Sequence, residues 1–135
     1  MTRYVGANQQ LVVVPVHLTG TLGGDLNWRW QVPVGLTLLH VSAVGSAANQ
    51  AGLEIGESSD TDGYIAKYSV GASNTPVEKG GAGYFSDFSG ALSDSQFPHL
   101  DPGDILTLTL DHDYNNGGSA TDDADVTIVL TFAVG

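Results

Sequence analysis

The chain has 135 residues, no cysteine, and 15 acidic side chains against 4 basic ones, for a formal charge of −11. Arg3, Arg29, Lys67 and Lys79 are scattered, so there is no basic stripe to neutralise phosphates, and nucleic acid is not expected as a partner. Disorder is not expected either, because 41% of the residues are hydrophobic and they fall in ordered runs.

A chain of this size buries about two thirds of its unfolded surface, enough for one core without disulfides or metal. The longest apolar run, Leu11 to Val16, is far short of the roughly 20 residues that span a bilayer. The N-terminus also lacks the charged-then-apolar pattern of a secretory leader, so the expectation is a single domain with neither membrane segment nor leader.

Residues 1–10 are polar and show no alternation, and they read as an arm outside the folded domain, which then spans 11–135. Arg3 and Tyr4 make this arm a candidate contact with a neighbour. Leu11 to Thr19 is rich in β-branched residues and reads as a strand, with Pro15 marking an edge, a bulge or a mispaired position. The glycines of Gly20 to Asp25 turn the chain.

In the next strand, Leu26, Trp28, Trp30 and Val32 share one face while Asn27, Arg29 and Gln31 share the other, and Pro33-Val34-Gly35 ends it. Two indoles on one strand face lie about 7 Å apart and could stack on a sugar. Leu26 and Val32 on that same face favour a place in the core or a subunit interface for Trp28 and Trp30. Further strands are expected at Leu36 to Ser46, Gly52 to Gly56, Tyr64 to Val70 and Tyr84 to Phe88. Near the end, Leu106, Leu108 and Leu110 alternate with threonines, and Val126, Ile128, Leu130, Phe132 and Val134 form the cleanest apolar face. These last two strands read as an antiparallel pair with a long polar tip from Asp111 to Asp125.

Seven or eight strands with no helical period predict an all-β chain. The expected form is a two-sheet antiparallel β-sandwich of jelly-roll type with an extended N-terminal arm. An immunoglobulin-like topology is the alternative, although no Cys, Trp, Cys pattern supports it.

Chemistry is harder to find. His17, His40, His99 and His112 fall in no metal or hydrolase motif, Gly-x-Ser-x-Gly is absent, and no cysteine can serve as a nucleophile, so no enzyme activity is expected. Calcium needs several closely spaced hard oxygens, and two acidic segments come near that pattern. In Ser58-Ser59-Asp60-Thr61-Asp62-Gly63, Asp60, Asp62 and the glycine have EF-hand spacing, but the first position is serine and the twelfth is Ser69. In the second segment Asp111, Asp113 and Asn115 alternate correctly while Gly117 comes one residue late. For both, a solvated turn is the favoured alternative, and no cofactor is expected.

Three stretches carry a resemblance. They are His17 to Asp25 with the following Trp28-Arg29-Trp30-Gln31-Val32-Pro33, then Pro102-Gly103-Asp104-Ile105, then Val126 to Phe132. In style they resemble small structural proteins of tailed bacteriophages, among them capsid decoration (cement) proteins with β-sandwich or jelly-roll folds. The resemblance implies a virion structural protein on the outer surface of the capsid, made in the host cytoplasm. It also implies a homotrimer that clamps the major capsid protein. It carries over no site residue. A carbohydrate- or receptor-binding sandwich is the alternative function, and it would use exposed aromatics or a filled Asp60/Asp62 site. Uncovered strand edges independently argue for an oligomer.

Overall fold

The computed structural model describes residues 10–80, 97–115 and 122–135. Among these residues the chain is all β: β1 (Leu11–Thr21), β2 (Leu26–Gln31), β3 (Leu36–Val44), β4 (Gln50–Glu57), β5 (Asp60–Ser69), β6 (Val77–Gly80), β7 (His99–Leu100), β8 (Ile105–Asn115) and β9 (Ala124–Val134). They form two antiparallel sheets, one ordered β1-β9-β3-β6 with β7 also on β3, the other ordered β2-β8-β4-β5. The expected strand at Tyr84 to Phe88 and most of the N-terminal arm, including Arg3 and Tyr4, lie outside the described residues.

The two sheets close on one core. Phe132, Ile128 and Leu130 of β9 meet Leu106 and Leu110 of β8 and Leu53 and Ile55 of β4, all of them buried. The period-two reading of β9 holds along most of its length, since Val126, Ile128, Leu130 and Phe132 point inward and Val134 is half-buried. Trp30 of β2 bridges the sheets, its ring centroid 6.0 Å from that of Phe132 in a tilted arrangement that suits two aromatic quadrupoles.

One pairing differs from the expectation. Leu106 to Leu110 and Val126 to Val134 do not pair with each other, because β8 lies between β2 and β4 while β9 lies between β1 and β3. Both strands present an apolar face and lie in different sheets, so the two faces meet across the sandwich instead of lying side by side. The polar tip is also shorter than expected, because Asp111 to Asn115 continue β8 in the ladder.

Alternation in β3 changes phase. Leu36 and Leu38 are buried, then Val41 and Ala43, because Leu39 is an extra residue in a bulge opposite Phe132 and Thr131. Pro15 falls on β1, which pairs only with β9 among the described residues, so its missing N–H breaks no interior ladder. The strands β6 and β7 were not expected, and at four and two residues they are too short to display a period.

Candidate functional site

Two regions gather chemistry or exposed surface. The first lies at the β1–β2 turn against the end of β8. Gln50 pairs with Asn115 and Gly52 with Asp111, so β8 spends four residues where β4 spends two. This bulge breaks the alternation that would hold Asp111 and Asp113 on the face opposite His112. One ligand-type atom from each of Asp25, Asp111, His112 and Asp113 then falls within 4.8 Å of the others.

Asp25 governs the group. Its Oδ1 accepts from the backbone N–H of His112 at 3.0 Å and lies 2.6 Å from His112 Nδ1. The hydrogen bond from His112 holds the Asp25 carboxyl below its ordinary range. The reciprocal bond to Asp25 raises the imidazole, with Asp113 and Asp122 adding to the pull. Asp111 is engaged on its other side by Lys67 at 3.2 Å, whose ammonium also lies 5.5 Å from the centre of the Tyr114 ring. Two basic groups of the protein itself, His112 and Lys67, thus offset part of this acidic cluster, and the arrangement works as a charge-paired clasp between the β1–β2 turn and β8.

Asp60 and Asp62 lie at the start of β5, not in a loop. The hydrogen bond between them raises the Asp60 carboxyl, since two like charges this close disfavour ionising both. Among the described residues no third His, Cys, Asp or Glu completes a ligand group with them. Asn115 ends β8 opposite Gln50. Nearby, the buried Tyr64 hydroxyl donates to Glu57, and burial with that carboxylate pushes its phenol far up.

Trp28 and Trp30 face inward, half-buried and packed against the core, opposite Leu108 and Leu106 of β8. The histidines are separated: His17 meets Thr127 at 2.7 Å, His40 meets Glu78 at 3.5 Å, and His99 meets Thr37 at 3.0 Å and Asp101 at 3.4 Å.

The second region is the outer face of the β1-β9-β3-β6 sheet. Directly opposed residues share a face. Leu11, Val13, Pro15 and His17 of β1 therefore lie with Ala133, Thr131, Val129 and Thr127 of β9, and beyond them Thr37, His40, Ser42 and Val44 of β3. Not one of these twelve is Asp, Glu, Lys or Arg, although the chain carries a net −11. Charge returns at Asp125, at the start of β9, and at Glu78 on β6. The opposite sheet presents Arg29, Glu54 and Asp111 outward, so the molecule has one neutral side and one charged side.

Sequence reasoning found the acidic segments and the tryptophans. It missed the Asp25–His112 contact, which joins residues 87 positions apart and leaves no signal in spacing. The uncharged face was within reach by listing alternate residues of three strands, but only once β1, β9 and β3 were known to be neighbours.

No protein-family model matches the chain, and no curated protein matches it. Among solved structures, the fold is similar to a chain of the cyanophage Pam1 capsid asymmetric unit, with a TM-score of 0.53 at 14% identity, covering 95% of this chain and 86% of that one. The likeness is one of fold, and it runs through both sheets rather than a single motif.

Proposed function

We propose that the chain is a non-enzymatic structural protein of a virion, which binds the outer surface of an assembled phage capsid and stabilises the shell as a decoration protein. The observation that carries this is the fold likeness to a chain of a phage capsid unit over nearly the whole length. Strand order supports the jelly-roll form of the sandwich. A long hairpin of four strand pairs, rolled once, places its first strand beside its last and its third beside its sixth in one sheet, as with β1-β9 and β3-β6 when the two-residue β7 is set aside. The other sheet then holds β2-β8 and β4-β5.

Charge supplies an orientation. The uncharged outer face of β1, β9 and β3 loses little by leaving water and turns toward the shell, while the charged sheet with Asp25, Glu54 and Asp111 stays in solvent. Stabilisation then needs no chemistry. A protein that binds the closed shell better than free capsid subunits stabilises the shell by that difference in affinity and no more.

The test is the rupture temperature of purified capsids, with and without added protein, across a salt series. Rupture temperature should rise with protein concentration and level off when sites fill. Many copies of a −11 protein repel one another on one surface. Binding should therefore strengthen from 0.01 M to 0.1 M salt, as the Debye length falls from about 30 Å to about 10 Å. Equal rupture temperatures at full occupancy, or no occupancy at any salt, would end the proposal.

A further inference from the structure

We infer that β1 is a self-association edge: two copies of this chain pair through it, antiparallel about a two-fold axis at Val12, so that Leu11 of each copy faces Val13 of the other. The inference does not depend on the capsid reading, since it concerns only how the chain meets itself.

Among the described residues four strands end the two sheets, and proteins usually protect such edges with charge. Three follow that practice. β6 carries Glu78 and Lys79, β2 carries Arg29, and β5 carries Asp60, Asp62 and Lys67. β1 is as long as any strand here, 11 residues, and has no charged side chain. It also holds the two most exposed large apolar side chains among the described residues, Leu11 at 65% and Val13 at 57%.

Backbone geometry says which groups are on offer. Val134 N–H donates to Gln10 C=O at 2.9 Å, so this is a hydrogen-bonded pair of the β1–β9 ladder. Such pairs alternate, so Val12, Val14 and Val16 also turn their backbone groups to β9, and Leu11, Val13, Pro15 and His17 turn theirs to the free edge. Pro15 has no N–H to give, which directs pairing to the stretch before it. A two-fold register centred on Val12 brings Leu11 opposite Val13 twice. It uses both N–H and both C=O groups of each Leu11–Val13 pair, leaves Pro15 out, and covers both exposed side chains at once.

The occupant follows from charge. A second copy of a −11 chain is repelled at most approaches, but at β1 each presents an uncharged strand and an uncharged face. The product is one continuous sheet with β1 beside the β1 of the partner subunit. A closed two-fold pairing of this kind gives dimers or even-numbered assemblies, unlike the trimer expected from resemblance.

The experiment is sedimentation equilibrium of the full chain at about 100 μM, with thermal unfolding in parallel. The wild type should weigh twice the 14.0 kDa chain. L11K/V13K should raise the dissociation constant at least tenfold while unfolding as a folded protein, because both positions are solvent-facing. The chain has no cysteine, so single cysteines give a clean second reading. In this register the two Val12 Cα atoms lie about 4.5 Å apart. That is within disulfide reach, and V12C should cross-link under oxidation. The two Val16 positions lie roughly 27 Å apart, so V16C should not cross-link. A monomeric wild type, a dimer that persists in L11K/V13K, or cross-linking of V16C as readily as V12C would overturn the inference.

Discussion

Asp123 is an acidic side chain with no exposure to solvent, and its removal should be one of the costliest single changes in the molecule. Its Oδ2 accepts the buried N–H of Ala51 at 3.0 Å, and its Oδ1 accepts the N–H of Ala124 at 2.8 Å. Its own carbonyl accepts from Leu22 N–H at 2.9 Å. Ala51 belongs to β4 and Ala124 to β9, so one carboxylate ties the two sheets together at the end of the sandwich. Asp123→Ala leaves the Ala51 N–H without an acceptor, at about 1–3 kcal/mol, and loses a part-buried bond worth about 1 kcal/mol more. The total, about 2–4 kcal/mol, is a large part of the roughly 5–15 kcal/mol that holds a domain folded. At roughly 4 °C per kcal/mol, the midpoint should drop by about 8–16 °C. Gly45 provides an internal control. A Cβ there would lie 2.3 Å and 2.4 Å from the two carboxylate oxygens, while its φ is outside the left-handed region, so Gly45→Ala is harmful only through Asp123. In the double variant the added methyl takes the vacated space, and the combined cost should fall below the sum of the two single costs. Urea unfolding of the four proteins measures this. A loss under 1 kcal/mol for Asp123→Ala, or strict additivity in the cycle, would refute the tie between the sheets.

Three further outcomes can be checked on the isolated protein. The His112 imidazole is raised above its ordinary 6.5 by its bond to Asp25, so its contribution to stability is complete below pH 6.5 and disappears as pH rises through the folded value. Asp25 is lowered from 3.8, so its share is present above that pH and is lost as acid carries the solution through its folded value. Melting curves should therefore show the wild type losing, as pH rises above 6.5, an advantage over His112→Gln that it holds below that pH; an unchanged gap would contradict the clasp. Trp30→Ala should cost about 2–4 kcal/mol by denaturant unfolding, at or just under the range for a fully buried ring, because β2 is an edge strand and the indole is half-covered; a cost under 1 kcal/mol would mean that it does not bridge the sheets. Gly71→Ala should be far more damaging than Gly80→Ala, because its Cβ would fall 1.8 Å from the backbone oxygen of Thr75, whereas the atom 2.6 Å from a Cβ at Gly80 is at the edge of the His40 imidazole, which is partly exposed and can swing away; similar melting points for the two variants would count against this packing.

How far the sequence reaches is clearest at β8 and β9. Alternation tells which residues of a strand are buried, and it placed Leu106, Leu108, Leu110, Val126, Ile128, Leu130 and Phe132 inside, where the structure has them. It carries no information about partners, because a strand facing the core looks the same whether its chain neighbour lies beside it or across the core. Hence the expected pair became two strands of opposite sheets. Pro15 signalled an edge, a bulge or a mispaired position, and among the described residues the structure has the edge, since proline removes a donor that an interior strand needs. Asp123 was illegible: in the run Asp122-Asp123-Ala124-Asp125 it reads as one more solvated carboxylate. Only the two backbone N–H groups converging on it from different elements make burial worthwhile.

The same limit separates the two candidate regions. Asp111, Asp113 and Asn115 were found through calcium-like spacing, yet what organises the first two is Asp25, contributed by the distant β1–β2 turn, and a bulge that no spacing rule anticipates. The Asp25–His112 clasp then explains why an acidic cluster can persist here: the imidazole in its midst is one whose protonated form the carboxylates themselves favour. The uncharged face required no pairing of distant charges. It required that twelve neighbouring outward residues of β1, β9 and β3 be neutral, with Asp125 at the start of β9 just beyond them, a restriction that folding does not impose on a solvent-facing sheet, where Lys and Glu are well tolerated. In a chain with 15 acidic residues, keeping twelve such neighbouring positions free of charge is difficult to understand as a device for stability or solubility. It is the composition expected of a surface that spends its working life covered, and the open edge of β1 at its border supplies the hydrogen-bonding groups by which a second chain can begin to cover it.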